Sequence, residues 1–577
     1  MSKIYPVYTL KNECHDCYKC VRECYVKAIK IQNGRASVIN ERCIACGHCV
    51  IACPSNAKRV RTDIQKVRAL FAERKKVFVS LAPSWAGIYN VAPQKIIALL
   101  KALGFYAVSE TAVGAQEVSI ETAKLLNSAG AGLFISSACP VIVDFIRLYK
   151  PDFVKNITPV ASPALTHAKL LKQIYGDDIA VVFIGPCIGK KNEADRHPEL
   201  IDAALTFDEL NLWLKEEFIS VETIDAGQNN AFVPERSYEG AIYPVEGGMN
   251  ETIKRIGVDG RTSLINISGL RNFGKAIDGI QTANMDKKIF IEALSCESGC
   301  VNGPCKSTGK SGVMIISDIM SRVRFRDDIP EQPRTVLAEE YSANPSAGRQ
   351  YSPEEITKAM ERIGKYKEED ELNCGGCGYS ACRDLAKALI DGDAEPSMCV
   401  SYMRKIAMKK SAAMLRCMPN AVVMVDKDLN IIESNDAFLK MFCGDMYDFF
   451  SKRSGGIKGA SIEKTVSFGD IFKRMLKTGE DVHKEHYPCG NKLYDINAFT
   501  IEKGNIVGAV ITDVTKTEID REKIAQKARE VISKNIAKVQ EIACILGEHM
   551  SETEVLLNSI AEDYAEEKND NEEEGGK

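Results

Sequence analysis

Apolar residues in the first half of the chain form short continuous runs, each followed by a small-residue loop carrying a polar or thiol group. Val77-Phe78-Val79-Ser80-Leu81 runs into Ala82-Pro83-Ser84, and Leu133-Phe134-Ile135 into Ser136-Ser137-Ala138-Cys139-Pro140. Ile179 to Ile184 runs into Gly185-Pro186-Cys187-Ile188-Gly189-Lys190. Ile289-Phe290-Ile291 runs into the stretch from Glu292 through Cys296 and Cys300 to Cys305. Between these runs lie helical patterns such as Pro93 to Gly104, whose apolar face ends on a glycine stop. Continuous apolar strands alternating with helices predict parallel sheets buried on both faces. Ligands of such sheets bind beyond the carboxyl ends of the strands. The four loops are therefore expected to bring four cysteines and one lysine to a common place.

The pattern changes after position 330. Residues 330–352 read as a polar, proline-containing connector, and Pro353 to Lys365 as an amphipathic helical segment. A helical stretch from Tyr402 to Arg416 leads to two strands, Ala421 to Asp426 and Ile431 to Glu433, joined by a polar turn and followed by a helix start. Tyr494 to Thr512 reads as two more strands around Lys503-Gly504-Asn505. After Asp513 the chain is expected to be helical. Ile532, Val539, Ile542 and Leu546 fall at heptad-like steps there, with Asn535 in a core position where it could fix register. The acidic tail from Glu566 to Lys577 is expected to be disordered. The expected division is 1–63, 64–329, 330–400, 401–416, 417–515 and 516–577.

The chain has 577 residues, more than one core can organise, so several domains are expected. A net charge of −4 with 27% charged residues argues against nucleic-acid binding driven by bulk charge. No apolar run reaches membrane-spanning length and the polar amino terminus is no signal peptide, so a cytoplasmic protein without membrane association is expected. The 21 cysteines change the picture most. Clustered C-x-x-C spacings in a large chain point to metal rather than to disulfides.

Two arrays occupy the amino terminus: Cys14, Cys17, Cys20 and Cys24, then Cys43, Cys46, Cys49 and Cys53. This resembles the bacterial two-cluster ferredoxin pattern, in which the fourth cysteine of each run ligates the other cluster. The resemblance implies one 4Fe–4S cube on Cys14, Cys17, Cys20 and Cys53, and a second on Cys24, Cys43, Cys46 and Cys49. Structural zinc does not explain crossed runs of this kind. Tyr25 stands where a proline usually follows the fourth cysteine. A third array, Cys374, Cys377, Cys382 and Cys399, resembles a small four-cysteine domain that binds another 4Fe–4S cluster, with zinc as its alternative. Cys305, Cys417, Cys443, Cys489 and Cys544 fall outside the arrays and mostly read as packed free thiols, Cys305 being the one near the Cys296/Cys300 stretch.

The set Ala82-Pro83-Ser84, Cys139-Pro140, Pro186-Cys187-x-x-Lys190-x-x-Glu193 and Glu292-x-x-x-Cys296-x-x-x-Cys300 resembles the active-site domain of the iron-only (FeFe) hydrogenases. The resemblance implies an H-cluster: a 4Fe–4S cube joined to a di-iron unit carrying CO, cyanide and a bridging dithiolate amine. Cys139, Cys187, Cys296 and Cys300 would ligate the cube, Cys300 bridging to the di-iron unit. Lys190 would donate to one cyanide, and the Ala82-Pro83-Ser84 loop would hold the other, since anionic ligands on a singly tethered unit need donors around them.

The departures from the family pattern concern proton transfer. Ala138 stands where catalytic members carry a proton-relaying cysteine, and Gly185 and Leu294 replace two methionines. Ser162-Pro163-Ala164 lacks a family glutamine. Turnover is therefore expected to be slow, because proton transfer needs an unbroken chain of donors and acceptors. Glu292 and Glu246 are candidates for a substitute path, while Glu193 fits the family's own relay position.

Residues 417–515 resemble a PAS sensory domain, and helices leaving such domains commonly pair. The expected architecture is α/β and multidomain. It comprises a two-cluster ferredoxin unit (α+β), a two-lobed parallel-sheet hydrogenase domain, a small four-cysteine iron–sulfur domain, a PAS domain (α+β) and C-terminal helices. The expected function is that of a slow sensory hydrogenase acting on H2 and protons. Its redox state would pass through the PAS end to a separate signalling protein, a kinase or phosphatase, in a homodimer. The rival readings are a working hydrogenase that docks a ferredoxin-like electron carrier, and an iron–sulfur scaffold without the di-iron unit.

Overall fold

The computed structural model describes residues 4–569 apart from 74, 228–229, 281–284, 307, 347 and 454–455. Two compact units emerge, Met1–Met403 and Arg404–Lys577.

The first unit begins with the cysteine-rich segment. Two short helices, Lys19–Glu23 and His48–Ala52, each follow a cysteine loop. Strand Val7–Thr9 pairs antiparallel with Lys58–Val60 and closes the segment on itself. A second hairpin, Ile29–Gln32 with Arg35–Val38, turns through Asn33 and Gly34, both at positive φ. Asn-Gly is the pair that such a two-residue turn requires.

Two parallel sheets follow. The four-stranded one runs in the order Ala107–Glu110, Val77–Leu81, Ala180–Gly185, Ala203–Thr206. Every residue in it is buried, as expected of a parallel sheet covered on both faces. The three-stranded one runs Thr262–Ser268, Lys288–Leu294, Gly132–Ile135. The Lys288–Leu294 strand is longer than its apolar run: Glu292 lies inside it rather than in the loop, paired in register with Asn266. Glu246 follows a 3-10 turn, Glu239–Ile242, and not a strand.

Residues 330–352, the polar connector, are held against the rest of the first unit at several points. Leu337 is buried, Ala161 N donates to Leu337 O at 2.7 Å, and Arg334 pairs with the buried Glu117 at 2.8 Å. The segment is a strap across the helix Thr111–Ser128 and the loop before Pro163–Tyr175. Sequence polarity hid this, because one buried leucine among charged residues leaves no periodic signal.

Helices Pro353–Glu361 and Cys382–Ile390 then pack onto the amino-terminal segment. Val21, Ile29 and Ile31 share one core with Met360, Leu385 and Leu389. The helix expected from Tyr402 begins at Val400, directly after Cys399.

The second unit is an antiparallel five-stranded sheet in the order Ile431–Ser434, Ala421–Asp426, Ile506–Asp513, Lys492–Glu502, Val482–Cys489. Phe438, Phe468, Phe472, Ile496 and Val507 fill its core. In place of several C-terminal helices there is one, Thr515–Asn569, on which Ile532, Asn535, Val539, Ile542 and Leu546 are all exposed. Of the expected disordered tail, residues 570–577 lie outside the described residues. Among the described residues no helix is long and apolar enough to cross a membrane.

Candidate functional site

The loops at the carboxyl ends of the two sheets face one another. Cys139 is the N-cap residue of the helix Pro140–Tyr149, and the N–H groups of Val141 and Ile142 oppose the upward push of burial on its thiol, without a capping hydrogen bond. Cys187 lies between strand Ala180–Gly185 and helix Gly189–Arg196, with the N–H groups of Gly189 and Lys190 against it. Amide donors at a helix start favour a thiolate, the form that ligates iron. Cys296 and Cys300 follow strand Lys288–Leu294. Between them Gly299 sits at φ +102°, where a Cβ would lie 2.3 Å from the Pro244 carbonyl oxygen. Only glycine permits that approach.

These four thiols share one electrostatic neighbourhood. Burial, then the charge of Cys139, pushes Cys187 up to about 11. Burial also pushes Cys296 and Cys300 well up, helped in each case by the charges of the other thiols of the set. Burial alone raises Cys139, and three of the four thiols are raised further by their neighbours, so the set ionises together only with positive charge beside it. Among the described residues no three His, Cys, Asp or Glu side chains stand close enough to grip a single metal ion. Soft thiolate donors of this kind suit iron–sulfur.

A cavity of about 100 Å³ opens beside Cys139, Cys187 and Cys300, bordered by Ala82, Pro83, Ser84, Ala138 and Lys190. Cys296 is not among its walls. Ser84 is fully buried, and its hydroxyl has no hydrogen-bond partner among the described residues. Such an orphan costs roughly 1–3 kcal/mol unless a ligand accepts from it. The Lys190 ammonium is buried at the same cavity, 2.6 Å from Glu193 Oε2 and 3.0 Å from Ser162 Oγ. One unpartnered hydroxyl and one cation fit a group carrying anionic ligands.

The altered positions also border this space. A Cβ on Gly185 would lie 2.7 Å from Ala82 Cβ and 2.8 Å from the Phe183 ring, so Phe183 fills the room a longer side chain would need. Leu294 and Ala164 line the wall, and Ala138 offers only a methyl there.

The proton-path candidates separate. Glu292 is buried, and its carboxylate accepts from Gly247 N at 3.2 Å and Asn250 N at 2.9 Å. Burial pushes it up to about 7 against those opposing donors. Glu246 is exposed and accepts from Ser268 Oγ at 2.6 Å, so it stands at the surface and not beside the cavity. Glu193 borders a second cavity of about 210 Å³ with Arg196, His197, Glu339 and Tyr341. Sequence reasoning missed Tyr243, which lines the first cavity; its hydroxyl and that of Thr252 both bond Ser119, at 2.7 and 2.6 Å. The only available signal was a tyrosine three residues before Glu246.

The amino-terminal thiols sort by proximity across the two runs. Cys20 feels Cys14, Cys17 and Cys53, whereas Cys49 feels Cys46, Cys43 and Cys24. Cys46 also acts on Cys296, and Ile44 shares a core with Cys139 and Leu294. In the third array Cys377 feels Cys399 and Cys374, while Cys382 opens the helix that follows.

Residues 75–304 match the family described as iron only hydrogenase large subunit, C-terminal domain. This stretch is therefore similar to the iron-only hydrogenase domain. Residues 6–54 match a 4Fe-4S dicluster domain, and residues 370–401 an Fe-S cluster family. Iron hydrogenase 1 of Clostridium pasteurianum is 25% identical over 364 residues, covering 51% of this chain and 63% of that protein. The NADP-reducing hydrogenase subunit HndD of Solidesulfovibrio fructosivorans is 25% identical over 323 residues, covering 45% and 55%. The chain spans about six tenths of the length of these curated relatives. A solved FeFe hydrogenase from Chlamydomonas reinhardtii aligns over 99% of its own chain and 48% of this one, at 20% identity and a TM-score of 0.38.

Proposed function

We propose that this chain is a slow, hydrogen-sensing iron-only hydrogenase. The observation that carries the reading is the cavity beside Cys300, which holds a buried ammonium and an orphaned hydroxyl but no thiol at position 138. Cys139, Cys187, Cys296 and Cys300 would hold the cube of an H-cluster, and the cavity beside Cys300 would take its di-iron unit. When bound, that group supplies reversible splitting of H2 into protons and electrons. Lys190 and Ser84 would orient it by donating to its anionic ligands, and the apolar walls would exclude water. Ala138 interrupts the usual proton exit. Glu292, which holds its proton to near neutrality, takes over the relay and passes protons toward Glu246 at the surface.

Three further 4Fe–4S clusters, on the Cys14/Cys17/Cys20/Cys53, Cys24/Cys43/Cys46/Cys49 and Cys374/Cys377/Cys382/Cys399 sets, carry the electrons. The sheet of 417–515 acts as a PAS module, and the helix after it pairs with a second copy to present the redox state to a signalling partner. Such a signal requires that reduction change the relative free energy of two conformations.

Infrared spectra of the anaerobically matured full chain test the reading. Bands of iron-bound CO and cyanide that shift under H2 are expected. Their absence from a protein that carries its cubes would leave an electron-transfer scaffold instead.

A further inference from the structure

The four-cysteine unit is built into the amino-terminal unit. Besides the shared core, Ile31 N donates to Asp393 O at 2.9 Å, Arg42 pairs with Asp393 at 2.5 Å, and Asn33 N donates to Glu395 Oε1 at 2.5 Å. Gly378, at φ +95°, lies against the helix Lys19–Glu23. A Cβ there would be 3.0 Å from Val21 Cγ1 and 3.2 Å from Arg22 N.

One side chain at this contact reaches both cysteine sets. The half-buried Lys27 donates from Nζ to the Val21 carbonyl oxygen at 3.0 Å and lies 5.9 Å over the Tyr379 ring. Its ammonium is close enough to Cys24 and to Cys377, one thiol from each set, for both to act on it.

The turn at Lys27 does not require a lysine. Its φ is +52°, and its N–H returns to Cys24 O at 3.3 Å. In the internal repeat the equivalent residue is Asn56, at φ +53°, whose N–H returns to Cys53 O at 3.2 Å. Asparagine suits this left-handed conformation, whereas lysine occupies it at a cost. The turn alone would therefore favour asparagine at both positions, and the lysine is held where its charge faces the second array.

We propose that Lys27 electrically couples the Cys24/Cys43/Cys46/Cys49 site to the Cys374/Cys377/Cys382/Cys399 site, making their contact the route by which electrons leave for the carboxy-terminal part of the chain. This rests on the reading that both sets hold 4Fe–4S cubes. In each transfer the first cube loses one electron and the second gains it. A fixed positive charge beside both stabilises the reduced form of each. Because Cys46 also neighbours Cys296, the first of these cubes becomes a branch point between the hydrogenase site and the four-cysteine unit.

Redox titration of the anaerobically reconstituted full chain, followed by electron paramagnetic resonance, tests this. Lys27→Gln is expected to lower the midpoint potentials of two cube signals, each by about tenfold in its reduction equilibrium (about 59 mV for one electron), and Lys27→Arg to restore them. Gly378→Ala, which pries the units apart, is expected to weaken the spin–spin splitting between those same signals in the reduced protein. Unmoved potentials, a shift in one signal only, or splitting unaffected by Gly378→Ala would overturn the coupling. Wild-type protein that takes up iron without any cube signal would overturn the cluster reading as well.

Discussion

Glu292 shows how one residue's burial becomes a measurable pH effect. Its carboxyl is 2% exposed, and it keeps its proton to about 7 in the folded chain against 4.5 for the free group. Below pH 4.5 both states are protonated and Glu292 makes no difference. Between 4.5 and 7 the unfolded chain releases the proton and the folded chain does not, so rising pH favours unfolding. Above 7 the full penalty applies, roughly 3 kcal/mol by linkage. The iron-free wild type is expected to lose more stability between pH 5 and pH 8 than Glu292→Gln does, measured as the change in urea midpoint. The same substitution addresses the relay. In matured protein, Glu292→Gln is expected to cut hydrogen-dependent dye reduction by tenfold or more, and Glu193→Gln by less. A larger loss from Glu193→Gln would return the relay to Glu193. At this scale the sequence marked the residues but not their partners. Lys190 stood out by its spacing from Cys187, yet Ser162 and Glu193 as its hydrogen-bond acceptors needed the fold, as did the hydroxyls of Tyr243, Ser119 and Thr252, which come from three separate elements.

At the scale of elements, legibility followed the strength of the hydrophobic period. The fully buried strands Val77–Leu81 and Ala180–Gly185 announce themselves as apolar runs, and the paired Lys492–Glu502 and Ile506–Asp513 by their alternation and the glycine turn. Strand Val482–Cys489 gave no such signal: it is an edge strand whose residues are mostly exposed, and its ladder comes from the neighbour it joins. The strap at 330–352 was hidden for a related reason, since it is held by backbone hydrogen bonds and one apolar anchor. That anchor makes a prediction. Leu337 is 3% exposed in a core with Val118, Val160 and Phe290. Leu337→Ala is expected to cost about 2–4 kcal/mol, the range for a buried leucine. The loss should appear first as proteolytic cleavage within 330–352. Unchanged cleavage there would mean that the Arg334–Glu117 pair alone secures the strap.

At the scale of the whole molecule, the carboxy-terminal helix demands an explanation that one copy cannot supply. Thr515–Asn569 has 55 residues, about 82 Å of helix at 1.5 Å per residue. Ile532, Val539, Ile542 and Leu546 are 57%, 65%, 56% and 59% exposed, and Leu556 and Ile560 continue the same three-and-four spacing. A stripe of this length left in water is an interaction surface, and each such side chain gains about 1.5–3 kcal/mol on burial. Apolar positions repeated every three and four residues match another helix with the same repeat, and the proposed partner is a second copy in register. Asn535 falls within that stripe, where pairing with its own counterpart favours one alignment at a cost in stability. Two outcomes follow. The full chain is expected to sediment as a dimer, and a chain ending at Val514 as a monomer. Asn535→Ile is expected to raise the melting temperature of the dimer while admitting larger assemblies, seen as a broadened mass distribution in light scattering. A full-length chain that stays monomeric at tens of micromolar would leave the stripe for a different protein, and the redox signal would then reach its partner through one helix rather than two.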